Sequence, residues 1–428
     1  MGSIIRKHRL TGALLAAALL QNGAVALASD GLSSPALRFS GFATVGAVKG
    51  GDDNLGFRRD LARTGVFEGE TDWAMDSLLG LQLDLRLTDK LDGAVQMVIR
   101  DRLDDALENQ VEWAFLRYRF SPDWTLRAGR IGLDVYALSE YRNVGFSYLW
   151  VRPPVEFYAP VAFYSFDGLD LTWSRPLGDG MFRAKLSGGR TGNDFEVGDG
   201  ISSLTLEPIV GLTLGWESDH WQLRMTMSQT EVEEEQEYFP GLSQLAEILE
   251  QVQPLWPDAA NLKANLKAGG SKVYYHSIGV AYTNAPWQVQ AEVGYIDSQL
   301  DVYPALLNSY VSIGRQFGAV TVYGMLADSD NQNERIEVNP PFIPFLPVES
   351  AQLAFLGDAL QTAFDSASMD QSSLSLGMRW DVRYDTALKL QWDRSWVSAY
   401  GSGLWDTKIV PEDDQILDTF TINLNVIF

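Results

Sequence analysis

The stretch Leu374–Tyr384, which reads LSLGMRWDVRY, alternates between two kinds of side chain. One set is apolar or aromatic and consists of Leu374, Leu376, Met378, Trp380, Val382 and Tyr384. The other set is small or charged and consists of Ser375, Gly377, Arg379, Asp381 and Arg383. Because successive side chains of a β-strand point to opposite faces, this pattern predicts a strand with one apolar and one polar face.

The same alternation recurs along the chain, at Leu79–Leu87, Trp221–Ser228, Trp287–Gly294 and Phe420–Phe428. Several polar faces carry full charges in mid-strand, which a packed interior would not tolerate unpaired. Aromatic residues stand near strand ends, at Trp124, Trp221, Trp287, Tyr384 and Phe428. Strands that are apolar outside, polar inside and ringed by aromatic residues are typical of an outer-membrane barrel.

The connections between these runs alternate between short turns and long loops. We predict sixteen strands at residues 36–48, 75–87, 91–101, 110–120, 124–131, 163–175, 181–190, 203–217, 220–232, 272–284, 287–299, 306–316, 319–328, 372–384, 386–398 and 418–428. Without the strands at 203–217, which contains Pro208, and at 306–316 the count would be fourteen. The predicted fold is an all-β, transmembrane, antiparallel up-and-down barrel with both termini on the short-turn side.

The first residues have the features of a secretory signal peptide. A basic start at Arg6-Lys7-His8-Arg9 precedes an apolar run that is shorter than the ~20 residues of a membrane-spanning helix. The sequence Ala26-Leu27-Ala28 is a small-residue cleavage site. We therefore predict a signal peptide at residues 1–28 and a barrel at residues 29–428.

Charge and composition narrow the range of partners. The formal net charge is −23, and removal of residues 1–28 with their three Lys and Arg residues leaves −26. This acidic balance argues against a nucleic-acid partner. Two interpretations of most of these charges stay open, attraction for cations and a solvated acidic surface that keeps the protein soluble. The sequence contains no cysteine, so neither disulfides nor thiolate chemistry is available to it.

Two long connections, at about 233–271 and 329–371, are predicted to be external loops. Within them, residues 242–266 and 348–364 have helical spacing and are predicted to form short helices that pack locally. The acidic run at residues 231–237 lacks the spacing of a calcium-binding loop, so a solvated loop is favoured over a cation site.

The connection at residues 131–163 has a composition unlike the other loops. It is too long for a hairpin turn and rich in aromatic residues that must be buried. Pro153, Pro154 and Pro160 exclude a regular helix or a central strand. A loop folded into the cavity of a large barrel would satisfy all of these constraints.

These features together resemble the Gram-negative outer-membrane porins of the sixteen-stranded general type. The resemblance rests on the strand rhythm, the long third loop, the terminal Phe428 and two runs, Arg127–Arg130 and Trp150–Glu156. It implies an outer-membrane location, an inward third loop that narrows the pore, a homotrimer, and contact with outer-membrane lipid and lipopolysaccharide. It also implies that the barrel-assembly machinery reads the last strand.

The predicted pore constriction has a basic wall and a loop that carries acidic residues. The wall residues are Arg86, Arg100, Arg117, Arg119 and Arg127, and the loop residues are Asp134, Glu140, Tyr141, Arg142, Arg152 and Glu156. Opposite charges across a narrow pore would create a transverse field that favours small polar solutes. Alternatively, these charges pin the loop to the barrel, and both roles are compatible.

Further inner-face charges are predicted at Asp84, Arg224, Glu292, Arg379, Asp381, Arg383, Lys389 and Asp393. No spacing of nucleophile and base and no metal-ligand pattern indicates an enzyme, a metal or a cofactor. We predict a porin for passive diffusion of small hydrophilic solutes and ions, with a mild cation preference. Two alternatives stay open: a specific channel for a sugar or carboxylate, which uses the loop aromatic residues, and a surface receptor or adhesin.

Overall fold

The computed structural model describes residues 36–102, 107–197, 200–238, 242–300 and 302–428. The predicted signal peptide at residues 1–28 lies outside the described residues. Within them, sixteen antiparallel strands follow one another around a closed barrel, and the first strand pairs with the last. The predicted fold class and strand number are confirmed.

We number the barrel strands in chain order. They are β1 Ala36–Gly50, β2 Leu78–Arg86, β3 Leu91–Arg100, β4 Val111–Arg119, β5 Trp124–Gly132, β6 Ser165–Leu177, β7 Gly180–Val197, β8 Gly200–Glu217, β9 Trp221–Val232, β10 Lys272–Asn284, β11 Trp287–Ser298, β12 Leu306–Phe317, β13 Val320–Asn331, β14 Met369–Arg383, β15 Thr386–Ser402 and β16 Gln415–Ile427. Closure pairs Phe42 with Ile427, and Gly41 and Phe428 exchange two backbone hydrogen bonds of 2.8 and 2.9 Å.

The long connections contain the helices α1 Leu107–Gln110, α2 Val155–Tyr158, α3 Ser243–Val252, α4 Ala259–Asn265 and α5 Pro347–Ala367. The helices predicted at 242–266 and 348–364 are confirmed. None of the described helices has both the length and the apolar composition that crossing a membrane requires. Two short strands, Leu55–Gly56 and Asp406–Thr407, pair with each other and join the connection after β1 to the one after β15.

The two faces of the strands differ as the alternation predicts. On β14, Leu376, Trp380 and Val382 are exposed on the outer face, whereas Ser375 is buried on the inner face. The aromatic residues near the strand ends, Trp124, Trp221, Trp287, Tyr384 and Phe428, are all exposed. An apolar outer face with a girdle of aromatic residues near the short turns is typical of a membrane-spanning barrel.

One predicted loop, at residues 191–202, is wrong. β7 and β8 extend through these residues, and their pairing continues to Val197 and Gly200. The turn-forming residues Gly192, Asn193 and Asp194 suggested an early end, but pairing with the neighbouring strand outweighs local propensity. β15 likewise continues to Ser402, so the loop predicted at 399–417 is shorter than expected.

Candidate functional site

The segment at residues 133–164 joins β5 to β6 and contains little regular structure. A turn is closed where the Tyr136 amide donates to Ser139 Oγ at 2.8 Å. Gly145–Ser147 form a single 3₁₀ turn, and Pro154 precedes the short helix α2. We call residues 133–164 the crossing segment, because its contacts reach strands on several sides of the barrel.

The aromatic residues of the crossing segment form a cluster against β12. Tyr136, Trp150 and Phe157 are at most 2% exposed. The rings of Tyr136 and Tyr158 lie 4.4 Å apart, and the rings of Phe157 and Tyr310 lie 5.3 Å apart. Burying rings of this size contributes much of the stability of a loop that lacks regular backbone hydrogen bonds.

Glu292, on the inner face of β11, forms hydrogen bonds with the aromatic cluster. Its carboxylate accepts hydrogen bonds from the Tyr158 hydroxyl at 2.6 Å, the Tyr310 hydroxyl at 2.5 Å and the Ala137 amide at 2.8 Å. On β12, Ser312 Oγ accepts from the Trp150 indole at 2.7 Å. These contacts join the crossing segment to two adjacent strands.

Two basic residues of β14 and β15 hold the backbone of the crossing segment. Lys389 Nζ donates to the Tyr148 and Trp150 carbonyls at 2.6 Å each, and also to the Gly145 carbonyl. Arg379 donates to the Tyr148 carbonyl at 2.9 Å and to a second carbonyl of the same turn. Carbonyls that lack secondary-structure partners are thus satisfied by charged donors.

Arg152 fixes the far end of the crossing segment through a buried ion pair. Its guanidinium contacts Asp76, just before β2, at 2.7 Å, donates to Thr421 at 2.6 Å, and lies 3.7 Å from Asp393. Burial alone would raise the pKa of Asp76, but the charge and hydrogen bonds of Arg152, with Arg59 and Asn423, together outweigh burial and hold that pKa below its ordinary value. This is the pinning role that the sequence left open for Arg152.

Asp134 anchors the near end on β7 and β9. Its carboxylate lies 2.8 Å from Lys185 Nζ and 2.6 Å from Arg224 Nη2. Burial acts to raise the pKa of Asp134, yet the two cations lower it well below its ordinary value. Asp134 is therefore a buried anchor rather than a group that faces a pore.

Glu140 is the loop carboxylate that remains open to water. Its side chain is 51% exposed and lies 3.4 Å from Arg127 and 3.2 Å from Lys185. Arg127 also contacts Asp170 of β6 at 2.6 Å. Among the described residues, Arg127 is the one of the five predicted wall arginines that forms an ion pair with an acidic residue of the crossing segment. This pair brings one residue of the predicted basic wall beside one acidic residue of the loop, and the transverse field itself stays a prediction.

Three other wall arginines lie around Asp92 of β3. Arg117 and Arg119 lie 2.7 and 2.6 Å from the two oxygens of Asp92, and Arg86 stands opposite Asp92 in the β2–β3 ladder. The side chains of Arg117 and Arg119 are 40% and 41% exposed. These residues form a hydrated, mainly basic group at the short-turn end of the barrel.

Arg100 lies apart from that group. It is buried, pairs with Glu112 at 3.0 Å, donates to Asn143 at 3.0 Å and stacks 3.6 Å above the Tyr164 ring. Arg142 stacks on the same ring at 3.5 Å. Both cations therefore position the crossing segment.

The two remaining loop residues, Tyr141 and Glu156, are enclosed to different degrees. Glu156 is buried and accepts a hydrogen bond of 2.6 Å from Gln371 of β14, and burial raises its pKa. Tyr141 is half-buried, and burial likewise raises its pKa. Glu156 therefore does not face an aqueous constriction.

Several residues that matter at the site were not identified from the sequence. Lys185 and Asp170 lie on inner faces, and period-two alternation along β6 and β7 would have found them. Asp76 and the arginines of the run Arg58–Arg63 lie in the connection after β1, where no periodicity exists. Their position becomes apparent only because that connection folds back towards the crossing segment.

No family model matches the sequence, and no curated protein matches it. Solved structures do match. They include OmpF of Salmonella typhi in complex with daunomycin, at a TM-score of 0.51 and 12% identity, over 92% of this chain and 98% of that chain. An anion-selective porin from Comamonas acidovorans gives 0.51 and 12%, over 92% and 100% of the two chains.

The outer-membrane channel DcaP of Acinetobacter baumannii matches at a TM-score of 0.50 and 10% identity, over 94% of this chain and 99% of that chain. At these identities the likeness shows the fold alone. The chain therefore has the sixteen-stranded fold of the porins, as the resemblance in the sequence implied.

Proposed function

We propose that this protein is an outer-membrane channel for passive diffusion of small hydrophilic solutes and ions. The observation that carries the proposal is a closed barrel with an apolar outer face and charged, water-exposed side chains on its inner face. Arg117, Arg119 and Arg183 are 40%, 41% and 55% exposed on that inner face. Side chains that are both inside a barrel and hydrated are expected to line an aqueous path.

The crossing segment is proposed to be the inward-folded constriction loop. Its contacts run from Asp134 on β7 and β9 to Arg152 beside β16, so it would cross the lumen and divide it. The hydrated path would run between Glu140 and the short-turn ends of β2–β7. The pair of Glu140 and Arg127 supports a transverse field at the narrowest point.

The proposed cation preference is mild. The whole chain is strongly acidic, but the charges beside the proposed path are mainly basic, since Asp92 is flanked by Arg117 and Arg119, and these cations oppose the preference. Selectivity depends on charges within about one Debye length, roughly 8 Å at physiological ionic strength. Acidic loops at the mouth would therefore shift the preference by a small amount.

The location and assembly are proposed on the same basis. The apolar outer face would contact the lipid and lipopolysaccharide of a Gram-negative outer membrane, and three copies would form a homotrimer. The barrel-assembly machinery would recognise β16 with its terminal Phe428, which pairs with Gly41. No catalytic role and no cofactor or metal is proposed.

Single-channel recording of residues 29–428 in a planar bilayer with a KCl gradient tests the channel. We expect steady conductance and a reversal potential in the direction of cations. Arg183→Trp should lower the conductance, because residue 183 shares its face with Lys185, which contacts the crossing segment. Ala184→Trp, the neighbouring outward position, is the matched control and should leave it unchanged. Absence of conductance in folded protein would contradict the proposal and favour the receptor alternative.

A further inference from the structure

A large cavity lies on the long-loop side of the crossing segment. Its volume is about 600 Å³, within the range of small-molecule sites. The crossing segment forms its floor through Val135 and Phe163, and the connection after β1 contributes Arg63. The inner faces of β8 to β11 form one side.

The cavity wall is aliphatic, which a water-filled vestibule does not require. Its strand-borne lining includes Leu204, Leu206, Ile209, Val232, Val273 and Ile296. On β9, Val232 continues an inner face that carries Arg224 and Ser228 farther down, so the polarity changes along one strand. Apolar walls with a few placed polar groups are the usual design of a site for an organic ligand.

Arg63 supplies a charged group at this apolar wall. Its side chain is 5% exposed, and Nη1 lies 4.0 Å from the nearer Asp101 oxygen. Among the described residues Nη1 has no hydrogen-bond partner, and the same is true of Thr230 Oγ1, which also belongs to a lining residue. Nη1 is enclosed and its ion pair with Asp101 is long, so a ligand carboxylate in the cavity would give the guanidinium a closer partner.

We propose that this cavity binds an amphipathic organic acid, with its apolar body against the aliphatic wall and its carboxylate against Arg63. The proposal rests on the proposed channel function, because the ligand would be a solute held on its way through the barrel. It narrows the solutes from hydrophilic molecules in general to monocarboxylates with an apolar body.

Calorimetric titration of the protein in lipid nanodiscs with hydrocinnamate tests the site without any need for conductance. Hydrocinnamate combines one carboxylate with a phenyl ring and a short chain. We expect saturable binding, with acetate and the neutral amide of hydrocinnamate at least tenfold weaker. Equal affinity for all three compounds, or no saturable heat, would overturn the proposal.

Two variants test separately the space for the apolar body of the ligand and the charge that would hold its carboxylate. Ser228→Phe places a ring in the cavity and should weaken binding at least tenfold, whereas Gln229→Phe, the adjacent outward residue, should not. Arg63→Gln should weaken hydrocinnamate binding roughly tenfold or more while leaving the amide unaffected. Arg394→Gln, which removes an arginine from the outer face, is the matched control.

The outcomes distinguish this proposal from the channel itself. Conductance without hydrocinnamate binding would support the channel and contradict the binding site. Hydrocinnamate binding without conductance would support the binding site and contradict the channel. If Arg63→Gln does not fold, the comparison of Ser228→Phe with Gln229→Phe decides alone. Equal affinity of those two variants would overturn the proposal.

Discussion

The inner face of the barrel differs sharply between two regions. On β12 and β14–β16, which we call the packed wall, polar residues such as Ser312, Lys389 and Asn423 are at most 3% exposed. At the short-turn ends of β2–β7, which we call the open wall, Arg117 and Arg183 are 40% and 55% exposed. Both walls are polar, so the crossing segment, which covers only one of them, creates the difference.

Burial gives similar polar residues different roles. Buried polar groups must find partners, and those of the packed wall find them in the carbonyls and side chains of the crossing segment. Exposed charges stay hydrated and contribute little to stability, but they act on ions that pass nearby. The packed wall should therefore determine stability, and the open wall should determine selectivity.

The largest expected effect is a difference in stability between Arg→Leu substitutions beside the packed wall and at the open wall. Arg152→Leu removes the nearest ion-pair partner of the buried Asp76 and should lower the free energy of unfolding by about 3–5 kcal/mol. Arg117→Leu at the open wall should cost about 0–1 kcal/mol, because its pair with Asp92 is partly exposed. Guanidinium unfolding in detergent micelles measures both values, and equal losses would break the comparison.

A second effect concerns the backbone of the crossing segment. Lys389→Met removes the donor to three carbonyls, of which that of Tyr148 keeps Arg379 as a donor. The variant should cost about 1–3 kcal/mol, because the other two buried acceptors are left unsatisfied. The segment should also become less well fixed, with larger current fluctuations in single-channel records. Arg119→Met, at the open wall beside Asp92, provides the comparison, and greater fluctuations in that variant would contradict the assignment.

Much of the fold could be predicted from the sequence, because the same constraint applies to every strand of a membrane barrel. Every strand must be apolar outside, so alternation such as that of Leu374–Tyr384 is visible along the whole chain. The same alternation placed Arg224, Glu292 and Lys389 on inner faces, where the structure has them in contact with the crossing segment. The aromatic content of that segment also indicated burial.

The pairing of the site residues could not be predicted in the same way. Parity gives the face of a residue but not its partner across the lumen, so Arg152 could not be matched to Asp76. Glu156 was expected at the pore, yet it is buried against Gln371 because the segment turns there into α2. Loop paths depend on long-range packing that has no period in the sequence.

A third and smaller effect concerns ion selectivity at the open wall. Arg127→Gln removes a cation beside the exposed Glu140 and should raise the ratio of cation to anion permeability roughly twofold. Arg394→Gln removes an arginine that pairs with Asp418 on the outer face and should leave the ratio unchanged. Reversal potentials in a KCl gradient measure both, and a matching shift in the two variants would show that the path does not follow Arg127.

The smallest effect is the pH dependence of stability, which has opposite signs at two carboxylates that contact the packed side. Burial raises the pKa of Glu156, so its ionised form costs stability at neutral pH, and this cost disappears as pH falls through the raised pKa. Glu156→Gln should therefore be more stable than the wild type at neutral pH, with a gain that vanishes below about pH 4.3.

Asp76 should behave in the reverse manner. Arg152, Arg59 and Asn423 together outweigh burial, so the pKa is lowered, and the stabilisation is lost only as pH falls below about 3.9 and through the lowered pKa. Asp76→Asn should be less stable than the wild type down to that range. Unfolding midpoints of both variants between neutral and acid pH make the comparison, and curves of the same sign would mean that the ion pair of Arg152 does not control the packed side.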